Sequence, residues 1–282
     1  MTACCIHLRP QGQRHMVKGL YTAWSGMINE MNRMDVMTNN LANADTNGYK
    51  KEGATSQTFD EQLAVKIKDQ SEPMGMPRRL GGMYPGVKIG ETYTDYSQGS
   101  FQVTDSQYDV ALDGEGFFAV SFTNKNGETS VKYTRDGAFT VNTQGYLVTK
   151  DGDYILNQAG AENTDPGQNN FIRLDPNLPF TIDEKGYIHQ NEQVVAQLGV
   201  IDFEDYDYLE KYGENLYQTV DGATLTEANA RVRQGYIEAS NVNVVTEMVN
   251  MITITRAYES NQKVIQTIDG MLDKAVNSVG RV

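Results

Sequence analysis

The sequence predicts an α+β fold in which long helices at the two ends of the chain flank an antiparallel β middle. Two observations support this fold class. Apolar residues recur at alternating spacings of four and three near both ends, which is the seam of a coiled coil. Between the ends, turn dipeptides such as Asp113-Gly114 and Asn126-Gly127 recur at short intervals, as in sandwiches and barrels. We therefore expect the terminal helices to pack as a coiled coil, with the β domain inserted between them.

The first helix is predicted from Val17 to Asn43, where a run of Asn, Asp and Gly ends it. The last helix begins after Asn241 or Asn243, either of which can serve as its N-cap. Because such a stripe needs a partner along its length, we expect its apolar residues to form an assembly interface. These are Leu20, Trp24, Met27, Met31, Met34 and Leu41 in the first helix, and Val244, Met248, Met251, Ile252, Tyr258, Ile265 and Leu272 in the last. Thr38, Gln262 and Asp269 interrupt the seam, either to specify its register or as tolerated irregularities.

Between Glu72 and Gly90, prolines and glycines predict an extended, irregular connector. Short strands follow and are expected at 110–112, 117–122, 131–134, 139–141, 146–148, 154–156, 180–182, 187–189 and 194–201. The predicted domains are thus a leader at 1–15, a helical domain of 16–50 with 236–282, a connector of 51–90 with 202–235, and a β domain at 91–201.

Composition excludes two classes of function. The formal net charge of −13 argues against binding nucleic acid through phosphates. No run of about 18 apolar residues exists, which argues against a transmembrane helix.

The first fifteen residues contain both cysteines, Cys4 and Cys5, together with His7 and His15. Their spacing matches no common zinc pattern, and the segment lacks the apolar stretch of a secretory signal peptide. We interpret it as a disordered leader or a mis-assigned start, with Met16 as the first residue, rather than as a metal site.

Catalytic chemistry finds little support in the sequence. Beyond the leader only His189 is available as a histidine base, and its strand-like surroundings indicate a sheet residue. Gly114-Glu115-Gly116 lacks the lysine and the following helix of a phosphate loop, so a hairpin turn is the better interpretation. The acidic cluster at Asp202, Glu204, Asp205 and Asp207 could bind Ca²⁺ but is interpreted as a solvated loop. We predict no enzyme, no cofactor, no metal and no small-molecule substrate.

Three segments resemble bacterial flagellar rod and hook proteins. Residues 19–27 with 38–50 resemble the N-terminal signature of that family, and 235–244 with 247–252 and 256–261 its C-terminal signature. Residues 113–118 and 133–139 resemble the β domain of its distal rod and hook members. Residues 213–217 are similar to a segment that precedes the C-terminal helix in the distal rod type.

The resemblance implies a structural subunit of the flagellar basal-body rod, of the distal type, which transmits torque from motor to hook and is needed for swimming. Its implied partners are further copies of itself in a helical polymer, other rod proteins, the hook protein and the flagellar export apparatus. The implied location is the basal body outside the cytoplasmic membrane, in the periplasm or cell-wall zone. Alternatives are a hook-type or proximal rod paralogue, an exported peptidoglycan-processing enzyme, or a cytoplasmic coiled-coil adaptor.

Overall fold

The computed structural model describes residues 12–66, 78–176, 178–213 and 215–279. Its helices are α1 (Gly12–Ala42), α2 (Gln158–Glu162) and α3 (Val244–Lys274), and α3 continues into a π-helical turn at Ala275–Val279. The strands of the first part are β1 (Lys51–Thr58), β2 (Gln62–Lys66), β3 (Arg78–Met83) and β4 (Val87–Asp95). The remaining strands are β5 (Phe101–Val103), β6 (Val110–Asp113), β7 (Phe117–Thr123), β8 (Thr129–Thr134), β9 (Phe139–Val141), β10 (Leu147–Thr149), β11 (Tyr154–Ile155), β12 (Phe180–Ile182), β13 (Tyr187–Gln190), β14 (Gln193–Gln197), β15 (Val200–Phe203), β16 (Leu209–Gly213), β17 (Leu216–Thr219), β18 (Leu225–Glu227), β19 (Arg231–Gln234) and β20 (Tyr236–Glu238).

The chain divides into two compact units. The helical unit combines residues 1–41, 52–95 and 244–282, and the β unit combines 42–51 with 96–243. In the helical unit, β1 pairs with β4 and β2 pairs with β3. We call these two strand pairs the ribbon. None of the described helices is apolar enough over a sufficient length to cross a membrane.

The β unit is built around β7, which is buried on both faces. Its partners are β8 along one edge and β11 and β15 along the other, all antiparallel. Phe118 and Val120 point into one apolar cluster, whereas Phe117 and Ala119 point into a second. This follows from the two-residue period of a strand, which sends successive side chains to opposite faces. The unit therefore has two apolar cores that share one central strand.

The fold class is confirmed in its main features: an N-terminal helix, a mostly antiparallel β middle and a C-terminal helix. Strands occur at all nine predicted places, although the ninth is split, because β14 ends at Gln197 and β15 begins at Val200. At Leu198 and Gly199 the backbone bonds instead to Gly186 and Leu156, which interrupts the strand.

At four places the local structure differs in detail from the prediction. Helix α1 begins at Gly12 rather than Val17, so residues 12–15 of the predicted leader are helical; residues 1–11 lie outside the described residues. The irregular connector contains β3 and the start of β4 where it is described. The second part of the predicted connector, 202–235, contains strands β16 to β19. Gly114-Glu115-Gly116 links β6 and β7, which pair with other strands, so this turn does not close a hairpin.

Candidate assembly surface on the terminal helices

The two long helices contact each other inside the helical unit. A Cβ added at Gly19 would lie 3.7 Å from Cδ1 of Ile268, and one added at Gly26 would lie 3.0 Å from Nδ2 of Asn261. Moving seven residues forward along α1 thus moves the contact seven residues back along α3. The helices therefore run in opposite directions, and the contact is tight at Gly26, where a Cβ would press against the side chain of Asn261.

The buried side of α3 follows its own heptad spacing. Its members alternate by four and three and are all buried or half-buried: Glu247, Met251, Ile254, Tyr258, Asn261, Ile265, Ile268 and Leu272. The four-three spacing predicted for α3 shares Met251, Tyr258, Ile265 and Leu272 with this stripe. It continues through Thr255, Gln262 and Asp269, with Ile268 beside it, whereas the buried stripe continues through Ile254, Asn261 and Ile268. Gln262 and Asp269 are exposed, as is Thr38 in α1. The seam predicted for α3 is thus rotated to one side of the stripe that the chain itself buries.

A second face of α1 is covered by the ribbon. Asn40 donates from Nδ2 to the carbonyl oxygen of Glu52 (2.7 Å) and accepts the Glu52 N–H at Oδ1 (2.9 Å). Asn29 donates to Oγ of Ser56 (3.0 Å), and Thr22 donates to the carbonyl oxygen of Pro85 (3.1 Å). Polar side chains on this face of α1 thereby bind backbone and side-chain groups of strand β1 and of the loop between β3 and β4.

The thirteen side chains predicted as an assembly interface all remain at least partly accessible. Leu20, Trp24, Met31, Met248 and Ile252 are exposed. The others are half-buried: Met27, Met34, Leu41, Val244, Met251, Tyr258, Ile265 and Leu272. Exposed apolar residues clustered on one element indicate an interaction surface. Their contact with neighbouring molecules stays a prediction.

The β unit contains a buried ion cluster centred on Glu238. Its Oε1 accepts from Nζ of Lys50 (2.5 Å) and from the Gly99 N–H (2.8 Å), and its Oε2 accepts from the guanidinium of Arg135 (3.2 Å). The side chains of Lys50, Arg135 and Glu238 are 1%, 4% and 1% exposed. At this depth each charge is stabilised by its oppositely charged partner, since an unpaired buried charge is strongly destabilising.

Two glycines allow the chain to close around this cluster. Gly48 has φ +65°, donates to the carbonyl oxygen of Glu238 (2.7 Å), and would bring a Cβ to 2.4 Å from the Arg135 carbonyl carbon. A Cβ at Gly99 would lie 1.9 Å from the carbonyl oxygen of Ala239. The cluster thus joins the segment that enters the β unit, at 48–50, to the segment that leaves it, at 236–239.

Sequence reasoning missed this cluster, although Lys50, Arg135 and Glu238 each stand in one of the three segments that carried the family resemblance. The signal was present as a charged residue within each motif. Nothing in the local pattern showed that the three would meet.

The residues considered for catalysis or metal binding have ordinary structural roles. His189 is half-buried in β13, opposite Thr181 and Val194. Asp202 accepts from the hydroxyl of Tyr206 (2.7 Å), and Asp205 accepts the N–H of Asp207 (3.0 Å). Across the described part of the chain, no group of three His, Cys, Asp or Glu is placed to hold a metal ion. Cys4, Cys5 and His7 lie outside it.

Comparison with known families agrees with this layout. Residues 20–50, which cover most of α1 and its exit, match the family described as flagella basal body rod protein. Residues 111–197 of the β unit match the flagellar hook protein FlgE/F/G D1 domain, and residues 233–278 match the flagellar basal body rod FlgEFG protein C-terminal family. The chain belongs to the flagellar basal-body rod protein family.

Individual relatives cover nearly the whole chain. The flagellar basal-body rod protein FlgG of Buchnera aphidicola subsp. Schizaphis graminum is 37% identical over 278 residues, 92% of this chain and 98% of its own length. FlgF of Caulobacter vibrioides is 32% identical over 269 residues, covering 95% of this chain and all of its own. The flagellar hook-basal body complex protein FlhO of Bacillus subtilis is 33% identical over 282 residues, covering 95% and 100%. Similarity to both FlgG and FlgF establishes a flagellar rod protein without selecting the subtype.

Proposed function

We propose that the chain is a structural subunit of the flagellar rod that assembles with copies of itself into a helical tube through its terminal helices. The observation that carries the proposal is the exposure of apolar side chains on α1 and α3, among them Trp24 and Ile252. Neighbouring copies would cover this surface and extend the α1–α3 contact into coiled-coil packing. In this proposal the chain has a structural role and no enzymatic one.

A tube requires contacts that do not close on themselves. The exposed apolar residues of α1 and α3 are different sets on different helices, so copies can meet through two unlike surfaces. Contacts between unlike surfaces build an open helical polymer when the rotation from one copy to the next does not close a ring. In this arrangement the helices line the inner wall around an export channel, and the subunits reach the growing tip through the flagellar export apparatus. The tube lies outside the cytoplasmic membrane and joins other rod proteins and the hook.

For the subtype we propose the distal rod. Support comes from residues 213–217, which are similar to a distal rod segment. Within the β unit, Nδ2 of Asn215 in this segment donates to the carbonyl oxygen of Asn47 (2.7 Å), in the N-terminal signature. A hook-type or proximal rod paralogue is the alternative within the family.

The ion cluster serves torque transmission in this proposal. A rotating shaft must pass force through each subunit without local yielding. Glu238 lies in the segment that leaves the β unit and pairs with Lys50, in the segment that enters it, and with Arg135. We therefore expect the entering and leaving segments to move together within the β unit.

Two matched substitutions test the assembly surface. Ile252 on α3 is 54% exposed and Val194 on β14 is 58% exposed, so Asp should be tolerated at either position in the free chain. In an interface, an unpaired carboxylate would cost several kcal/mol at every copy-to-copy contact. Cells with Ile252→Asp should export the subunit but form no complete rods in electron micrographs of basal bodies, whereas Val194→Asp should give normal rods and swimming.

Normal rods that contain the Ile252→Asp protein would contradict the proposal. An exported enzyme predicts another pattern, in which partly built rods would persist.

A further inference from the structure

Each terminal helix has a second stripe on the face opposite the α1–α3 contact. In α1 this outer stripe is Trp24, Ile28, Met31 and Asp35, and in α3 it is Val245, Val249, Ile252 and Arg256. Both have spacings of four, three and four. Ile28 is half-buried and the other seven side chains are exposed. Three apolar residues followed by one charge is therefore the pattern of both outer stripes.

The charged ends make the two stripes complementary. Asp35 and Arg256 have opposite charges, and within the described residues neither makes an ion pair. If the stripes packed in parallel, Asp35 would meet Arg256. If they packed antiparallel, Arg256 would lie over Trp24, and Asp35 would lie beside Val245 in the first turn of α3. A guanidinium over an indole face is a favourable cation–π contact, and a carboxylate at a helix N-terminus is favoured by the helix dipole.

The choice of direction rests on the proposed function. Copies in a helical polymer are related by a rotation about one axis and a translation along it, so their α1 helices point the same way. Since α3 runs opposite to α1 within a copy, α1 of one copy meets α3 of its neighbour antiparallel. We propose that the outer stripe of α1 docks on the outer stripe of α3 of a second copy in this antiparallel register. Trp24 then lies against Arg256, Ile28 against Ile252, Met31 against Val249, and Asp35 beside Val245.

Cysteine cross-linking distinguishes the two directions. Residues 245 and 256 are about 16 Å apart along α3, at 1.5 Å per residue, whereas a disulfide requires Cα atoms within about 7 Å. In a background carrying Cys4→Ser and Cys5→Ser, one protein carries Asp35→Cys with Val245→Cys and the matched control carries Asp35→Cys with Arg256→Cys. Basal bodies purified from each strain are oxidised and run on a non-reducing gel.

The antiparallel register predicts a ladder of covalent multimers from the Asp35–Val245 pair and monomers from the Asp35–Arg256 pair. A ladder from the second pair, or from neither while both proteins are present in rods, overturns it. Absence of the Cys4→Ser, Cys5→Ser background protein from rods would instead count against the proposed function.

Reversing the charges at positions 256 and 35 tests the register even where a cysteine pair disturbs assembly. Arg256→Asp should reduce the number of rods per cell at least tenfold, because it places a carboxylate against Trp24. Adding Asp35→Arg should not restore them, since the two residues do not meet. Rescue by the double variant, or normal rods with Arg256→Asp alone, contradicts the antiparallel register.

The free chain carries its own reporter, because Trp24 is the single tryptophan. Its emission should move to shorter wavelength when copies assemble, and Arg256→Lys should retain this shift whereas Arg256→Asp should lose it. An unshifted emission in assembled wild-type rods would show that Trp24 stays in water and would overturn the proposed contact.

Discussion

The two units of the chain differ in how completely they bury their apolar side chains. The β unit buries Phe118, Val120 and Ile155 completely within its own cores. The helical unit leaves Trp24 and Ile252 about half exposed, at 46% and 54%, although both belong to regular heptad stripes. From this difference we expect the β unit to be stable by itself and the terminal helices to reach full stability only against neighbours.

The largest expected effect lies in the ion cluster of the β unit. Glu238→Ala removes the buried carboxylate that accepts from both Lys50 and Arg135 and so takes away the negative charge that compensates these two buried cations. We expect a loss of about 3–5 kcal/mol in the free energy of unfolding, measured by urea denaturation. The matched control is Asp113→Ala, which removes a pair with Arg233 whose side chains are 32% and 46% exposed and should cost about 1 kcal/mol or less. Equal losses from the two variants would show that the cluster does not anchor the β unit.

A smaller loss is expected at the turn that enters the β unit. Gly48→Ala combines a left-handed backbone, which costs about 1–2 kcal/mol for a residue with a side chain, with overpacking of about 1–3 kcal/mol against the Arg135 backbone. Gly127→Ala is the control, because Gly127 also has a positive φ (+84°) but a Cβ there would meet nothing within 4 Å. Denaturation of both variants separates the two contributions. A loss at Gly48 no larger than that at Gly127 would remove the argument for close packing there.

The smallest expected effect is a gain. Burial raises the pKa of Asp136, and the negative charges of Asp151 and Asp109 add to this. The folded state therefore binds its proton more tightly than the unfolded state, so stability falls as pH rises from the usual carboxyl value, near 4, through the raised one. Asp136→Asn keeps the acceptor for the Ala138 N–H (3.0 Å) and removes the charge. The variant should be more stable than wild type at pH 7, and the gain should vanish as pH falls below 4. A constant gain across this range would mean that the charge is not the cause.

The sequence predicted the elements better than their contacts. The four-three spacing located both helices, and turn dipeptides located the strands of the β unit. Spacing alone could not choose between Thr255 and Ile254 as the buried neighbour of Met251, because both adjacent faces of α3 carry apolar residues. The ion cluster was beyond local reasoning, since Lys50 and Glu238 are separated by most of the chain. The ribbon strand β3 was hidden by glycines that ordinarily mark irregular structure, such as Gly81, whose φ is +117°.

The central claim is that neighbouring copies stabilise the terminal helices, and hydrogen exchange on free chains and on purified rods tests it most directly. The account predicts that amides of α3, residues 244–274, exchange quickly in the free chain and are strongly protected in rods. Amides of β7, residues 117–123, should be equally protected in both and serve as the internal control. Full protection of α3 in the free chain, with no further gain in rods, would contradict the account.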